Sequence, residues 1–281
     1  MSQTAPVVLT IAGFDPSSGA GVTADIKTIA AHGCYGIAAI TAMTVQSTAG
    51  VRQVFPVDPG LFTDTLDELA SDMKVSAVHI GMLGSGDIAS RVAQFLERAK
   101  LPNVVLDPIL KSSSGASLLD QAGVSVLKER LLPFATVITP NVHEATTLTG
   151  VVIENVEDTK VAAQRLQEMG AQGVVVTGGH LEKAIDLLSV KDQYVQIFKS
   201  DFLPSTNTHG TGCAFSTTIA CQLAQERPLS MAVLLAKVYV TAAIANGYPI
   251  GKGVGPVNHM YQMKNHPRAQ GMVKKLASGK D

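Results

Sequence analysis

The stretch with the most chemical content is Thr208-His209-Gly210-Thr211-Gly212-Cys213. Two glycines flank a threonine, and a thiol opens an apolar run, AFSTTIACQLAQE, with helical spacing. Lacking Cβ atoms, Gly210 and Gly212 let the backbone turn sharply and come close to a ligand. A helix starting here presents unpaired N–H groups at the positive end of its dipole. A phosphate, or the charge that develops as one is transferred, suits such a place. Cys213 shares that positive field, so its thiol is expected to titrate low and reach thiolate easily. The plainer reading is a glycine helix start beside a small buried cysteine.

Three further groups could act with this loop. Asp25 follows the glycine-rich turn GFDPSSGAG and is either a solvated helix carboxylate or a site residue at the same edge. Gln46 ends an apolar run, and its amide both donates and accepts, as a heteroaromatic ring with nitrogens and an amino group requires. It reads equally as a strand-end turn residue. Asn141 and Glu144 are spaced to share one helix face and could hold hydrated Mg²⁺ and nucleotide phosphates. The same pair reads as a helix cap with its N3 partner, and the two roles are compatible.

Other motifs are weaker. Gly84-Ser85-Gly86-Asp87 reads as a helix cap through Ser85 or Asp87 rather than as a second phosphate loop. No Lys-Ser/Thr pair follows the first glycine loop, and no G-x-G-x-x-G follows a strand, so P-loop and dinucleotide sites are unsupported. The 7 histidines show neither zinc spacing nor a triad.

The elements that must position these residues alternate. The run VVLTIA (7–12) is a buried strand, then comes a loop and a helix ending at Gly33. Strand 37–46, an edge segment limited by Pro56, and a helix from Pro59 follow. Strand, helix and strand then occupy 76–83, 87–100 and 103–110. A helix over 117–133, a strand over 135–141, and helices up to Gly150 and over 156–170 come next. Strand 172–180 precedes a hairpin turning at Lys191-Asp192, and two long helices close the fold. Such alternation predicts an α/β domain around a mostly parallel sheet with helices on both faces, one domain over 1–281 with a polar tail from about 262. Ligands of open α/β sheets bind beyond the strands' carboxyl ends, where these polar loops gather.

Composition narrows the class. Of 281 residues, 46% are hydrophobic and 16% charged, and the net charge of -1 gives no support for nucleic-acid or anionic-membrane partners. The 3 cysteines, Cys34, Cys213 and Cys221, have no disulfide or metal spacing and read as reduced thiols of a cytoplasmic protein. The late apolar stretch MAVLLAKVYVTAAIAN carries Lys237 and reads as a buried helix rather than a membrane span.

Taken in order, the segments LTIAGFDPSSGAGVTADIKT, ITAMTVQST, IGMLGS, VVLDPIL, ITPNVHEA, GGHL, NTHGTGCAFS and GKGVGP closely resemble the hydroxymethylpyrimidine/phosphomethylpyrimidine kinases of thiamine biosynthesis. These belong to the ribokinase-like superfamily, and the resemblance runs from about Val7 to Val257. It implies a three-layer α/β/α fold, usually as a homodimer, and two successive ATP-dependent phosphorylations. The first converts 4-amino-5-hydroxymethyl-2-methylpyrimidine to its monophosphate, the second to the diphosphate. By resemblance, Gly13, Asp25, Gln46, Met82 and Ile109 line the pyrimidine pocket. Asn141, Glu144, Thr177, Thr208 and His209 serve the nucleotide, with Glu144 toward Mg²⁺. Gly210, Thr211 and Gly212 form the anion hole, and Cys213 stands where most sugar kinases of the superfamily carry an aspartate base.

Three positions depart from the pattern. Thr177 replaces a usual lysine, for which Lys237 or Lys252 could compensate; Ser18 replaces a usual glycine; and Phe14 replaces a smaller polar residue. A serine-rich flap near 110–117 is expected to close over ligand. The rival functions are a pyridoxal/pyridoxine kinase with the same cysteine-type loop and a non-catalytic pyrimidine sensor.

Overall fold

The computed structural model describes residues 4–112, 114–178, 184–200 and 203–265. Among them, nine strands form one sheet: β1 (Val7–Phe14), β2 (Tyr35–Ser47), β3 (Gly50–Pro56), β4 (Val75–Ile80), β5 (Val104–Leu106), β6 (Val137–Ile138), β7 (Gly173–Gly178), β8 (Ala184–Val190) and β9 (Tyr194–Ser200). Their order is β3-β2-β1-β4-β5-β6-β7-β8-β9. The six central strands run parallel, with β3 antiparallel at one edge and β8 and β9 antiparallel at the other.

Alternation along each strand feeds two cores. Leu9 and Ile11 of β1 pack with α2 (Pro59–Asp72), α3 (Gly86–Ala99), α5 (Val142–Thr149) and α6 (Val156–Glu168), while α4 (Gln121–Val126) lies at the margin of the same core. Val8 points the other way, toward α1 (Gly21–Ala31), α7 (Thr211–Ala224) and α8 (Leu229–Ala245). The result is the expected three-layer α/β/α arrangement. The α7–α8 core is built from small residues such as Ala214, Ala220 and Ala236, which let these helices approach the sheet closely.

Two expectations need correction. The helix expected over 117–133 is split into α4, a π-helical stretch Leu127–Leu131 and a 3-10 turn Leu132–Phe134, where Pro133 lacks an N–H to continue the ladder. The strands expected over 103–110 and 135–141 shrink to three and two residues, because the chain turns toward the sheet edge at Asp107 and Thr139. The hairpin is as read, with Asp192 in the left-handed region at φ 56. Of the expected tail, Tyr261–Asn265 forms a 3-10 turn and residues 266–281 lie outside the described ones. Gly179, His180 and Leu181 of the GGHL segment, and Ser113 of the flap, lie outside them too.

Candidate active site

β1 has a parallel neighbour on each side, β2 and β4, so the chain's path reverses there and opens a crevice beyond the strand ends. A cavity of roughly 320 Å³ occupies it. It takes Gly13, Phe14 and Asp15 from the end of β1, Gln46 from β2, and Met82 after β4. Asp107 and Ile109 come from beyond β5, Thr139, Asn141 and Glu144 from the β6–α5 turn, and Thr177 from β7. The floor is Thr208, His209, Gly210, Thr211, Gly212 and Cys213. All but one of the expected site residues therefore share one cavity.

The exception is Asp25. It is fully buried beneath the cavity and is not part of its lining. Its Oδ2 accepts from Thr10 Oγ1 at 2.7 Å and its Oδ1 from Thr217 Oγ1 at 2.9 Å. A solvated carboxylate does not describe it, since each oxygen is engaged by a buried hydroxyl. Removing it strands two buried hydroxyls and His79, whose Nδ1 lies 3.4 Å away. Asp25→Ala is therefore expected to cost about 3–5 kcal/mol of stability, measured by denaturant unfolding, the usual range for breaking a buried pair.

Most helix starts are capped by a side chain, while α8 begins at Pro228 uncapped and away from the cavity. Asp58, Ser85 and Asn155 cap α2, α3 and α6 with their side chains. Ser85 thus settles the Gly84-Ser85-Gly86-Asp87 motif as a cap. Asn141 and Glu144 form a reciprocal capping box on α5. By contrast α1 and α7 begin at Ala20 and Gly210 with no side-chain cap, and both positions border the cavity. The Gly21 N–H of α1 is bonded to the Cys213 sulfur and the Thr211 N–H of α7 to the Thr208 carbonyl, so the next N–H groups of each helix are the ones open to whatever enters.

The floor is locked to the first glycine loop. Gly210 has φ 84, and a Cβ there would collide with the carbonyl oxygen of Gly19. Asp15 Oδ2 accepts from Gly19 N and Ala20 N and meets His209 Nε2 at 2.8 Å, while its Oδ1 accepts from Ser17 N. Burial alone would raise the Asp15 carboxyl, but the bonds from His209 and Ser17 outweigh it and hold the group below its usual range. His209, expected on the nucleotide side, also approaches Gln46 Nε2 at 3.4 Å, on the first-loop side of the cavity. Ser18, where the resemblance expects glycine, does adopt a left-handed conformation at φ 66. Lys27 Nζ donates to its carbonyl oxygen at 2.7 Å and to its hydroxyl at 2.8 Å, which offsets the strain.

Electrostatics reverse one expectation. Burial pushes the Cys213 thiol well above its ordinary range, and the carboxylates of Asp25 and Asp107 add to this. The low-titrating thiol expected from the helix start is not found: a hydrogen bond from the Gly21 N–H lowers the thiol, but burial and the Asp25, Asp107 and Asp15 carboxylates outweigh it. Burial likewise pushes Glu144 up to about 8, helped by Asp107, and Asp107 itself up to about 6. A cation among these carboxylates would relieve that repulsion, which suits Mg²⁺ arriving with nucleotide phosphates. Among the described residues no group of three or more His, Cys, Asp or Glu is placed to hold a metal ion by itself.

Asp15 and Asp107, expected at the binding edge, Lys111 of the flap, and Thr139 border the cavity although the sequence assigned none of them a role there. Asp107 ends an apolar strand just as Asn141 does, which is the signal that marks its place at the edge. The expected replacements for Thr177 do not border the cavity. Lys237 is buried against Asp186, Nζ to Oδ2 at 2.6 Å, and Lys252 lies in an exposed turn. Among the described lining residues Lys111 is the one lysine, and it comes from the flap with Ser112 and Ser114.

Comparison with known proteins bears on this geometry. The phosphomethylpyrimidine kinase family model matches residues 15–258. The chain is 41% identical over 257 residues to the hydroxymethylpyrimidine/phosphomethylpyrimidine kinase of Haemophilus influenzae, covering 90% of this chain and 96% of that one. It is 44% identical over 255 residues to the thiamine biosynthesis bifunctional protein ThiED of Geobacter sulfurreducens, covering 90% of this chain but 52% of that longer protein. Thus it spans about half the length of that relative. Among solved structures it is similar to an ADP complex of Bacillus subtilis pyridoxal kinase, with a TM-score of 0.85 and 35% identity over 93% of this chain and all of that one.

Proposed function

The chain belongs to the phosphomethylpyrimidine kinase family, and from that premise we propose that its cavity phosphorylates a hydroxymethylpyrimidine twice with Mg²⁺–ATP. It is a phosphotransferase of ribokinase-like fold. The observation that carries the finer reading is the uncapped start of α7, opening into an acid-lined cavity beside Cys213. Phosphoryl transfer needs little covalent help from protein, but it needs positioning and donors aimed at the moving charge.

On this reading Gly13, Gln46, Met82 and Ile109 hold the pyrimidine, with Gln46 bonding its ring edge. Asn141, Glu144, Thr177 and Thr208 face the nucleotide, and Glu144 takes the Mg²⁺ that ATP brings. The backbone N–H groups of Gly210 to Gly212 serve the transferring phosphoryl as an oxyanion hole serves acyl chemistry. Cys213 accepts the hydroxyl proton in the first transfer. It does so as the thiolate, which its raised pKa makes scarce near neutrality but strongly basic when formed. The flap carrying Lys111 closes over the ligands, and the protein works as a cytoplasmic homodimer.

A second reading rests on the similarity to the pyridoxal kinase, since pyridoxal also offers a hydroxymethyl group on a six-membered heteroaromatic ring. Incubation with Mg²⁺–ATP and hydroxymethylpyrimidine, and in parallel with pyridoxal, separates them when products are read by mass. The expected product is the pyrimidine diphosphate. Pyridoxal phosphate alone would move the chain to the second reading. Binding without any product would make it a sensor.

A further inference from the structure

Asp25 is one end of a buried chain that the cavity does not use directly. Thr10 on β1 and His79 on β4 sit where these strands face α1 and α7, and both are fully buried. Thr10 Oγ1 lies 2.7 Å from Asp25 Oδ2 and 3.2 Å from His79 Nδ1. His79 Nε2 lies 2.9 Å from Ser216 Oγ, which in turn lies 3.1 Å from Asp107 Oδ2 at the cavity wall. The histidine is thus flanked, through one hydroxyl on each side, by two carboxylates.

Proton counting decides its state. Each hydroxyl has one proton to give. If Thr10 gives its proton to Asp25, its oxygen can only accept from His79, so Nδ1 must carry hydrogen. If Ser216 gives its proton to Asp107, Nε2 must carry hydrogen as well. A neutral imidazole holds one proton and has a bare nitrogen that takes a hydroxyl proton for itself. A bare Nδ1 would either face the oxygens of Thr10 and Asp25 at 3.2 and 3.4 Å or take the Thr10 proton and leave Asp25 with Thr217 alone, and a bare Nε2 would draw the Ser216 proton from Asp107. Only the doubly protonated ring serves both. We propose that His79 is a buried imidazolium that acts as a positioning residue, directing the Ser216 hydroxyl onto Asp107 and so fixing that carboxylate under the α7 loop.

The charges around it agree. Asp25 on α1 and Asp107 beyond β5 are the charged groups facing His79, with the Cys213 thiol of α7 nearby. Burial opposes charge on the ring, but attraction to Asp25 outweighs it and raises its pKa. One cation between two carboxylates also lowers the cost of burying all three. Ser216 lies one turn into α7, where the carbonyl oxygens of Gly212 and Cys213, at 3.0 and 3.2 Å, compete with Asp107 for its proton, and none of the three can supply a proton to Nε2 while Asp107 is ionised. Asp107 Oδ2 lies 3.8 Å from where a Gly212 Cβ would stand. The chain therefore ends directly beneath the floor glycines.

The role of His79 in catalysis rests on the kinase reading, whereas its protonation does not, and the two are tested apart. Full-length protein labelled with ¹⁵N-histidine, free of ligand, is examined by NMR from about pH 7 to 8, where an ordinary histidine is largely neutral. His79, assigned by through-bond correlation, is expected to show two protonated ring nitrogens throughout. One bare nitrogen would overturn the proposal whatever the enzyme's activity. In the kinetic arm, His79→Gln keeps a donor without the charge and is expected to lower kcat about tenfold, with the KM for the pyrimidine nearly unchanged. His79→Lys restores charge and is expected to recover most of that loss. Wild-type kcat in the glutamine variant, or no recovery in a folded lysine variant, would remove the positioning role. Should both variants fail to fold, the spectrum of the unaltered protein still decides the proton count.

Discussion

Cys213→Ala lowers the first phosphorylation by about 100-fold and leaves the second within about threefold, because only the first must remove a proton from an alcohol. In the second step the attacking group is a phosphate that is already ionised, so a proton acceptor has little to add. Single-turnover measurements with hydroxymethylpyrimidine and with its monophosphate, at saturating Mg²⁺–ATP, separate the two. The thiol's environment adds a pH signature. Burial and the Asp25 and Asp107 carboxylates raise its pKa, so thiolate is scarce near neutrality and grows more abundant as pH rises. The first transfer of the unaltered enzyme is therefore expected to climb with pH between about 6 and 9, a slope the alanine variant loses. An equal loss in both transfers would mean that Cys213 serves the floor by packing.

Gly210→Ala is expected to strike both transfers together, by about 100- to 1000-fold, the size of effect seen when an oxyanion donor is displaced. The reason is geometric. At φ 84 alanine is strained, and its methyl would fall on the Gly19 carbonyl oxygen, which is backbone and cannot swing aside. The floor must then separate from the first glycine loop, taking the α7 N–H groups and the His209–Asp15 contact with it. Comparing the two steps in this variant supplies the control for Cys213→Ala. One substitution splits the steps and the other does not. A Gly210→Ala enzyme with undiminished activity would show that the floor N–H groups do not stabilise the transferring phosphoryl.

What could be read from the chain alone follows a physical divide. The floor motif, the Asn141–Glu144 pair and the hairpin at Lys191-Asp192 are local, so glycine conformations, capping geometry and apolar periodicity reveal them. Asp25 shows the limit. Its neighbours Ala24 and Ile26 say that the helix is partly buried, but not that Thr10 and Thr217, the latter 192 residues away, are its partners. The thiol shows the same limit. The field of its own helix is visible in the sequence, while the opposing carboxylates arrive from α1 and from the end of β5. Strand lengths were overestimated at β5 and β6 because an apolar run marks burial, whereas the ladder stops where the backbone turns into the cavity.

The joint between the two glycine loops has a consequence for biogenesis. His209 and Asp15 are 194 residues apart in the chain, and Gly210 fits only against a Gly19 that is already in place. The floor thus cannot be finished by any piece of the polypeptide that lacks either glycine loop, however well that piece folds. On the ribosome, β1 and the first loop must wait through most of synthesis for their counterpart. In refolding, such long-range closure comes late, after local helices have formed. Recovery of turnover should therefore lag behind recovery of helical signal, making catalysis the last property the chain acquires.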